Sequence, residues 1–206
     1  MLKRREKLTV AAVVSQSGAA ARLARLEALA RALAEDWEIL VIAHGVGAEE
    51  MIGLTRAVRE LPDATLHILD DSASDDVAQL AVLDMAIGDR ILLADLDHID
   101  AEACRAMLAQ ADRGFEVVVG RPEDGTPCSP AYRLLRGVFV RLYRVMGGVR
   151  IEHDLPRTWL YTRAAALHLL SRREAEMLLR TTAIGGAFPG VTVPSSRPAQ
   201  ARAPAG

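Results

Sequence analysis

Residues 90–100, Arg-Ile-Leu-Leu-Ala-Asp-Leu-Asp-His-Ile-Asp, decide the fold of this chain and the place of its candidate site. A short apolar run that follows a Gly-Asp pair is typical of a buried strand, and we expect this strand to end at Asp95. Side chains alternate along a strand, so Asp95 and Asp97 are predicted to leave the sheet on the same side. Two carboxylates so placed suit Mg²⁺ or Mn²⁺, which take further ligands from phosphates, and open α/β sheets bind ligands at this edge. The alternative is that the aspartates only cap the helix that begins after Asp100.

Strand-like and helix-like segments alternate on both sides of this stretch. Apolar and β-branched runs predict strands at residues 8–14, 37–43, 65–69, 115–120 and 159–161. Helical spacing and composition predict helices at residues 19–35, 48–60, 75–87, 100–113, 131–146 and 163–180. This alternation predicts an α/β fold with a mostly parallel, Rossmann-like sheet and helices on both faces. We expect one domain over residues 1–184 and a flexible Pro/Ala/Gly-rich tail over residues 185–206.

The bulk composition excludes several classes of protein. The chain has 206 residues and a formal net charge of -2, which gives no reason to expect nucleic-acid binding. Cys104 and Cys128 lack ligand spacing, so we expect neither a zinc site nor a disulfide scaffold, and a reducing, cytoplasmic setting. No apolar run approaches the length of a membrane span, so any membrane contact is expected to be peripheral.

Several motifs carry a family resemblance, and they come in the family's order. Residues 81–89 match a helix end written A-G-L-D-A-A-x-G-D, and Asp95-Leu96-Asp97 matches a D-x-D. Residues 114–121 match the strand G-Y-D-V-V-V-G-x-R, and residues 148–163 follow the region G-V-x-I … F-R-L-L-x-R. The chain thereby resembles the family-2 glycosyltransferases of the GT-A fold, most closely the polyprenyl-phosphate type typified by dolichol-phosphate mannose synthase. The resemblance covers residues 8–180.

The chain departs from the family at the loops that hold the donor. Ser15-Gln16-Ser17-Gly18 stands in place of P-x-x-N-E, and Ala43-His44-Gly45-Val46 stands in place of D-D-G-S. Arg157 occupies the position of the family's usual aspartate for the acceptor's proton. These departures imply either a different mode of donor recognition or a relative that has lost catalysis.

The resemblance implies a nucleotide-diphosphate sugar as the donor and Mg²⁺ or Mn²⁺ as the cofactor, held by Asp95 and Asp97. Ser15, His44, Asp95 and Arg121 are then the residues expected to bind the nucleotide sugar. Arg121 would add a guanidinium to the phosphates, with a solvated strand-end arginine as the alternative. Asp154, with Glu152 behind it, is the remaining candidate for the base that takes the acceptor's proton.

Two histidines near these loops have alternative roles. His44 is a candidate for stacking on the nucleotide base, and an ordinary loop histidine is the alternative. His98, beside the D-x-D, is a candidate metal ligand or simply a helix-entry residue. The acidic residues at positions 70, 71, 75 and 76 form either a second cation site or a solvated loop and helix N-terminus.

A helix predicted over residues 131–146 places Arg133, Arg136, Arg141 and Arg144 on one face and apolar side chains opposite. Such a helix either lies on an anionic membrane surface, near a lipid-phosphate acceptor, or covers the sheet with its apolar face. The first possibility puts the protein at the inner face of the membrane.

Three functions follow from these patterns. The first is a metal-dependent glycosyltransferase that acts on an unknown acceptor. The second is a non-catalytic scaffold or regulatory partner of an active transferase, with self-association as a further possibility. The third is a nucleotidyltransferase, for which the usual glycine-rich basic loop after the first strand is missing.

Overall fold

A computed structural model of the chain describes residues 6–15, 18–122, 158–171 and 190–195. The strands are β1 (Leu8–Val14), β2 (Trp37–Ala43), β3 (Ala64–Ile68), β4 (Arg90–Leu93), β5 (Val117–Pro122), β6 (Thr158–Thr162) and β7 (Gly190–Ser195). The helices are α1 (Leu23–Leu33), α2 (Ala48–Glu60), α3 (Asp75–Met85), α4 (Ala101–Asp112) and α5 (Arg163–Leu170). A short 3₁₀ helix, Ala20–Arg22, precedes α1.

The described strands form one seven-stranded sheet in the order β3-β2-β1-β4-β6-β5-β7. All neighbouring pairs are parallel except those of β6, which runs antiparallel to both β4 and β5. The apolar run of β4 therefore lies in the middle of the sheet, between β1 and β6, and Ile91 and Leu92 are fully buried. The predicted α/β fold with a mostly parallel sheet is confirmed.

Helices cover both faces of the sheet, as the sequence predicts. On one face, Leu26 of α1, Leu54 of α2 and Met107 of α4 pack against β1, β2 and β4 in one apolar cluster. On the other face, Leu83 of α3 and Leu169 of α5 pack with a second cluster. This second cluster contains the aromatic rings of β6, Trp159 and Tyr161, which stack with their centroids 5.9 Å apart.

A group of hydrogen bonds at the amino edge of the parallel strands holds the loop that leads into β4. The buried Thr9 hydroxyl donates to Glu38 Oε1 and accepts from the Gly88 amide at 2.9 Å. The Ile87 amide donates to the same Glu38 oxygen at 2.8 Å. Arg163, the first residue of α5, donates from Nε to the Gly88 carbonyl at 3.0 Å. The loop before β4 is thus held by β1, β2 and α5 at once.

The structure corrects several of the predicted element bounds. The chain enters α1 through a 3₁₀ turn, so the predicted helix at residues 19–35 is regular only over Leu23–Leu33. The strand expected to end at Asp95 ends at Leu93, because the following residues form a turn. The flexible tail predicted from residue 185 is wrong for Gly190–Ser195, which pairs in parallel with β5 as β7. Three of its residues, Val191, Thr192 and Val193, are β-branched and favour a strand.

The predicted helix over residues 131–146 lies outside the described residues, as does the part of the last predicted helix beyond Ser171. In the described part of the chain, no helix has the length and apolar composition needed to cross a bilayer.

Candidate functional site at the carboxyl edge of the sheet

The candidate site lies where the central parallel strands end. Val14 of β1 is opposite Ala43 of β2, and Leu93 of β4 is opposite Ala11. The segments that follow these three strands carry Ser15, His44 and the Asp95–Asp97 pair, so the topology brings these predicted residues to one edge. This edge is where open α/β sheets bind ligands.

Asp95 organises a tight turn directly after β4. Its carbonyl accepts the His98 amide at 3.1 Å, and its Oδ1 accepts the Asp97 amide at 3.0 Å. Its Oδ2 lies 3.0 Å from His98 Nδ1. A carboxylate only accepts hydrogen bonds, so Nδ1 carries the proton and a neutral His98 keeps its lone pair on Nε2. Asp95 is 11% exposed, so the turn is largely built around its side chain.

The alternation of side chains along a strand does not apply to Asp95 and Asp97, because it holds only within an extended strand and β4 ends at Leu93. The capping alternative holds for Asp100 alone. Its Oδ1 accepts the amides of Glu102 and Ala103, both at 3.0 Å, at the start of α4.

Asp97 forms an ion pair with Arg22, which reaches across from the 3₁₀ helix after β1. The two side chains are 24% and 45% exposed, for Arg22 and Asp97 respectively. Arg22 also donates from Nε to the Gly18 carbonyl at 3.0 Å. The guanidinium therefore connects the loop after β1 to the turn after β4.

His44 is buried at the end of β2, with an 8% exposed side chain. Its backbone amide donates to the Val14 carbonyl at 3.0 Å, and its Nε2 lies 2.9 Å from Asp75 Oδ1 in the first turn of α3. Burial leaves little of the ring for a nucleotide base to stack on. A role of His44 in base recognition stays a prediction.

The other predicted site residues are placed only in part. Ser15 is exposed at the end of β1. The backbone of Arg121 pairs with Pro194 of β7. Asp154 and Glu152 also lie outside the described residues.

The acidic residues after β3 do not form a second cation site in the described chain. Asp70 instead closes a small turn, because its Oδ1 accepts both the backbone amide and the hydroxyl of Ser72. These hydrogen bonds stabilise the carboxylate and lower the pKa of Asp70 below its ordinary value. Asp75 and Asp76 lie in the first turn of α3, where the helix dipole favours negative charge.

The donor set of the turn fits a hard divalent cation. The hard donors of that set are the carboxylate oxygens of Asp95 and Asp97, each able to accept more than one partner, whereas the ring nitrogen of His98 is a softer donor. No group of three or more His, Cys, Asp or Glu side chains converges on a metal position in the described ranges. A cation here would therefore draw its remaining ligands from water or from a bound phosphate. It would also need Asp97 to exchange its partner Arg22.

Sequence reasoning missed two residues of this edge, Arg22 and the Asp75 partner of His44. Arg22 is one of several arginines that alternate with leucines in this segment. It differs from the solvent-exposed ones because it lies in the 3₁₀ helix, from which its side chain reaches Asp97. Asp75 is visible in the sequence as part of an acidic run, but nothing there indicates that it pairs with His44.

Comparison with known proteins finds neighbours of the fold among solved structures. No protein-family model and no curated protein matches the chain. Among solved structures, glucosyl-3-phosphoglycerate synthase from Mycobacterium tuberculosis, in complex with Mn²⁺, UDP and phosphoglyceric acid, is 16% identical with a TM-score of 0.61. The match covers 97% of this chain and 72% of the synthase. The same enzyme with Mg²⁺ and UDP is 11% identical with a TM-score of 0.55, over 92% of this chain and 70% of the synthase. At such identities the likeness establishes the fold, and the chain has a GT-A-like α/β fold.

Proposed function

We propose that this protein is a glycosyltransferase that moves a sugar from a nucleotide-diphosphate donor to an acceptor, with the help of a divalent cation. The observation that carries the proposal is the turn after β4, in which Asp95, Asp97 and His98 gather at the carboxyl edge of a GT-A-like sheet. Similar structures of glucosyl-3-phosphoglycerate synthase contain UDP with Mn²⁺ or Mg²⁺, which supports the same class of donor and cation here.

Asp95 and Asp97 are the residues that would hold Mg²⁺ or Mn²⁺. When bound, the cation supplies Lewis-acid stabilisation of the negative charge that develops on the departing diphosphate. Asp95 also orients the His98 ring through the 3.0 Å contact between its Oδ2 and Nδ1. The turn is thus organised before a cation enters.

Ser15 and His44 flank the place proposed for the nucleotide, at the ends of β1 and β2. Arg121 would add charge opposite the phosphates. Asp154 is proposed as the base that takes the proton of a hydroxyl acceptor. These roles rest on the sequence resemblance.

The acceptor is proposed to be a lipid phosphate, reached by a peripheral contact with the membrane. The support is the resemblance to the polyprenyl-phosphate type and the row of arginines at positions 133, 136, 141 and 144. A phosphate acceptor is already ionised, so it needs little help from a base. This explains how the family's aspartate can be replaced by Arg157.

A second candidate function is a non-catalytic scaffold that pairs with an active transferase. Two contacts favour it, because Asp97 is held by Arg22 and His44 is held by Asp75. Both residues lie at positions where the resemblance implies contact with the donor or its cation, but each side chain contacts a protein side chain instead.

Calorimetric titration of the protein with UDP, GDP and their sugars, with and without Mn²⁺, separates the two candidates. The glycosyltransferase proposal expects Mn²⁺-dependent binding of one nucleotide. Substitution of Asp95 by Asn should weaken that binding by roughly tenfold or more, since even changes behind the ligands cost ~10–100-fold. Asp84→Asn, an exposed carboxylate on α3, makes the same charge change away from the turn and should leave binding unchanged. Absence of nucleotide binding by the folded wild-type protein would favour the scaffold.

A further inference from the structure

Arg22 is aimed at the turn after β4 by a firmly held segment. The residues on either side of the 3₁₀ helix, Ala19 and Leu23, are buried. The Ala19 amide donates to Glu50 Oε1 in the first turn of α2 at 3.0 Å, and the Arg22 amide closes the 3₁₀ turn onto the Ala19 carbonyl at 2.9 Å. The guanidinium therefore starts from a fixed backbone.

Asp97 is held equally well on its own side. Its amide is bound by Asp95 Oδ1, and the next amide closes the turn onto the Asp95 carbonyl. The Arg22–Asp97 pair thus joins the segments that follow two neighbouring strands, β1 and β4, and its two residues are 75 positions apart in sequence. Because Arg22 Nε is already held by the Gly18 carbonyl at 3.0 Å, the ion pair costs less side-chain entropy than one formed by a mobile surface arginine.

We propose that Arg22 is an internal counter-ion that competes with a divalent cation for Asp97, and that its guanidinium passes to the donor's diphosphate when the cation is bound. The inference rests on the proposed function, because it takes the turn after β4 to be the cation site. In the closed pair, Arg22 balances one of the two carboxylate charges of the turn. When Asp97 takes the cation, the guanidinium of Arg22 exchanges its contact with Asp97 for one with the incoming diphosphate, whose oxygens match the planar guanidinium fork.

Asp97 exchanges Arg22 for the cation, and Arg22 exchanges Asp97 for the diphosphate. Because the two exchanges depend on each other, we expect the cation and the diphosphate to bind cooperatively. A cation alone must displace Arg22 without offering the guanidinium another anion. A diphosphate alone meets an arginine that is already paired. When both are present, each removes the obstacle to the other, which is a coupling between two sites that must be reciprocal.

The test measures Mn²⁺ affinity without nucleotide, by electron paramagnetic resonance of free Mn²⁺, in wild type and in Arg22→Gln. Loss of the competing charge should tighten Mn²⁺ binding by about two- to fivefold, the range expected for a half-exposed ion pair. Arg25→Gln is the matched control, because it removes the same charge from an exposed position on α1. Equal Mn²⁺ affinities in Arg22→Gln and Arg25→Gln would overturn the competition. Failure of wild type and Arg22→Gln alike to bind Mn²⁺ would also overturn it.

A second arm measures UDP affinity at saturating Mn²⁺. Arg22→Gln should weaken UDP binding by roughly tenfold, because a charged donor to the diphosphate is lost, and Arg22→Lys should recover part of it. Unchanged UDP affinity in Arg22→Gln would overturn the transfer of the guanidinium. If Mn²⁺ tightens as expected but no variant binds UDP, the competition stands and the proposed function fails. Circular dichroism of each variant checks that it is folded.

Discussion

Replacement of Gly88 by Ala is expected to destabilise the fold more than any ordinary surface substitution. A Cβ at this position would lie 2.6 Å from the Thr9 amide nitrogen, 2.7 Å from the Thr9 hydroxyl oxygen and 2.8 Å from the Lys7 carbonyl oxygen. Two of these atoms belong to the backbone of the segment that leads into and forms β1, so they cannot turn aside as the end of a side chain can. The loop before β4 must move instead.

The size of the effect follows from what this movement breaks. Ordinary van der Waals contacts of a Cβ are 3.4–4 Å, so the loop has to shift by roughly 1 Å, enough to break hydrogen bonds. The buried bond from the Gly88 amide to Thr9 and the 2.8 Å bond from the Asp89 amide to Lys7 are both lengthened. Overpacking costs about 1–3 kcal/mol, and each weakened hydrogen bond costs about 1 kcal/mol. We expect the free energy of unfolding to fall by about 3 kcal/mol.

Urea denaturation followed by circular dichroism measures this change, and thermal unfolding should show a midpoint lower by roughly 6–12 °C. Gly47→Ala is the control, since nothing lies within 4 Å of its Cβ and its φ is -61°. It should change the free energy by less than about 1 kcal/mol, because the weaker cap of α2 is offset by a less flexible unfolded chain. The reasoning is refuted if the two variants unfold at the same urea concentration.

Three further changes test other parts of the structure. Gly53→Ala, in the interior of α2 with its nearest neighbour 3.9 Å from the new Cβ, should stabilise the protein by about 0.5–1 kcal/mol in urea denaturation, and destabilisation would contradict the free space described there. Arg163→Ala removes the charged donors to the loop around Gly88 and should cost about 2–3 kcal/mol, whereas Arg163→Lys should cost less; equal losses would mean that the charge does not matter. Burial raises the pKa of Cys104 to about 12, so its thiol should react slowly with iodoacetamide at pH 8 in the folded protein. In a Cys128→Ser variant, mass spectrometry should therefore find Cys104 labelled only after unfolding. Rapid labelling of the folded protein would refute this.

Most helices and strands can be predicted from the local pattern of apolar and polar residues. The positions of two strands in the sheet cannot. The bounds of β1, β2 and α2 follow from the sequence because each is a regular run with clear ends. The place of β6 does not follow, because the antiparallel strand that carries Trp159 reaches the middle of the sheet through long-range pairing. Nothing within residues 158–162 indicates which two strands they join. The strand β7 is also hidden, since its valines lie in a stretch rich in proline and alanine.

At the candidate site, the sequence predicts which residues lie at the edge but not how they are paired. Asp95, Asp97 and His44 come to the carboxyl edge because strand order alone puts them there. Their partners depend on turns of three or four residues, such as the one that Asp95 closes through its own side chain. Arg22 could not be separated from the solvated arginines nearby without knowing that its segment begins as a 3₁₀ helix.

The insertion of β6 between β4 and β5 has a consequence for how the chain is made. One edge of β4 pairs with β1, but the other remains open until residues 158–162 leave the ribosome, several seconds later at ~5–20 residues per second. During that interval the nascent chain exposes a β edge flanked by Ile91 and Leu92, which is a template for wrong pairing with other chains. A strand that lies buried in the middle of the finished sheet is thus open to wrong pairing during synthesis.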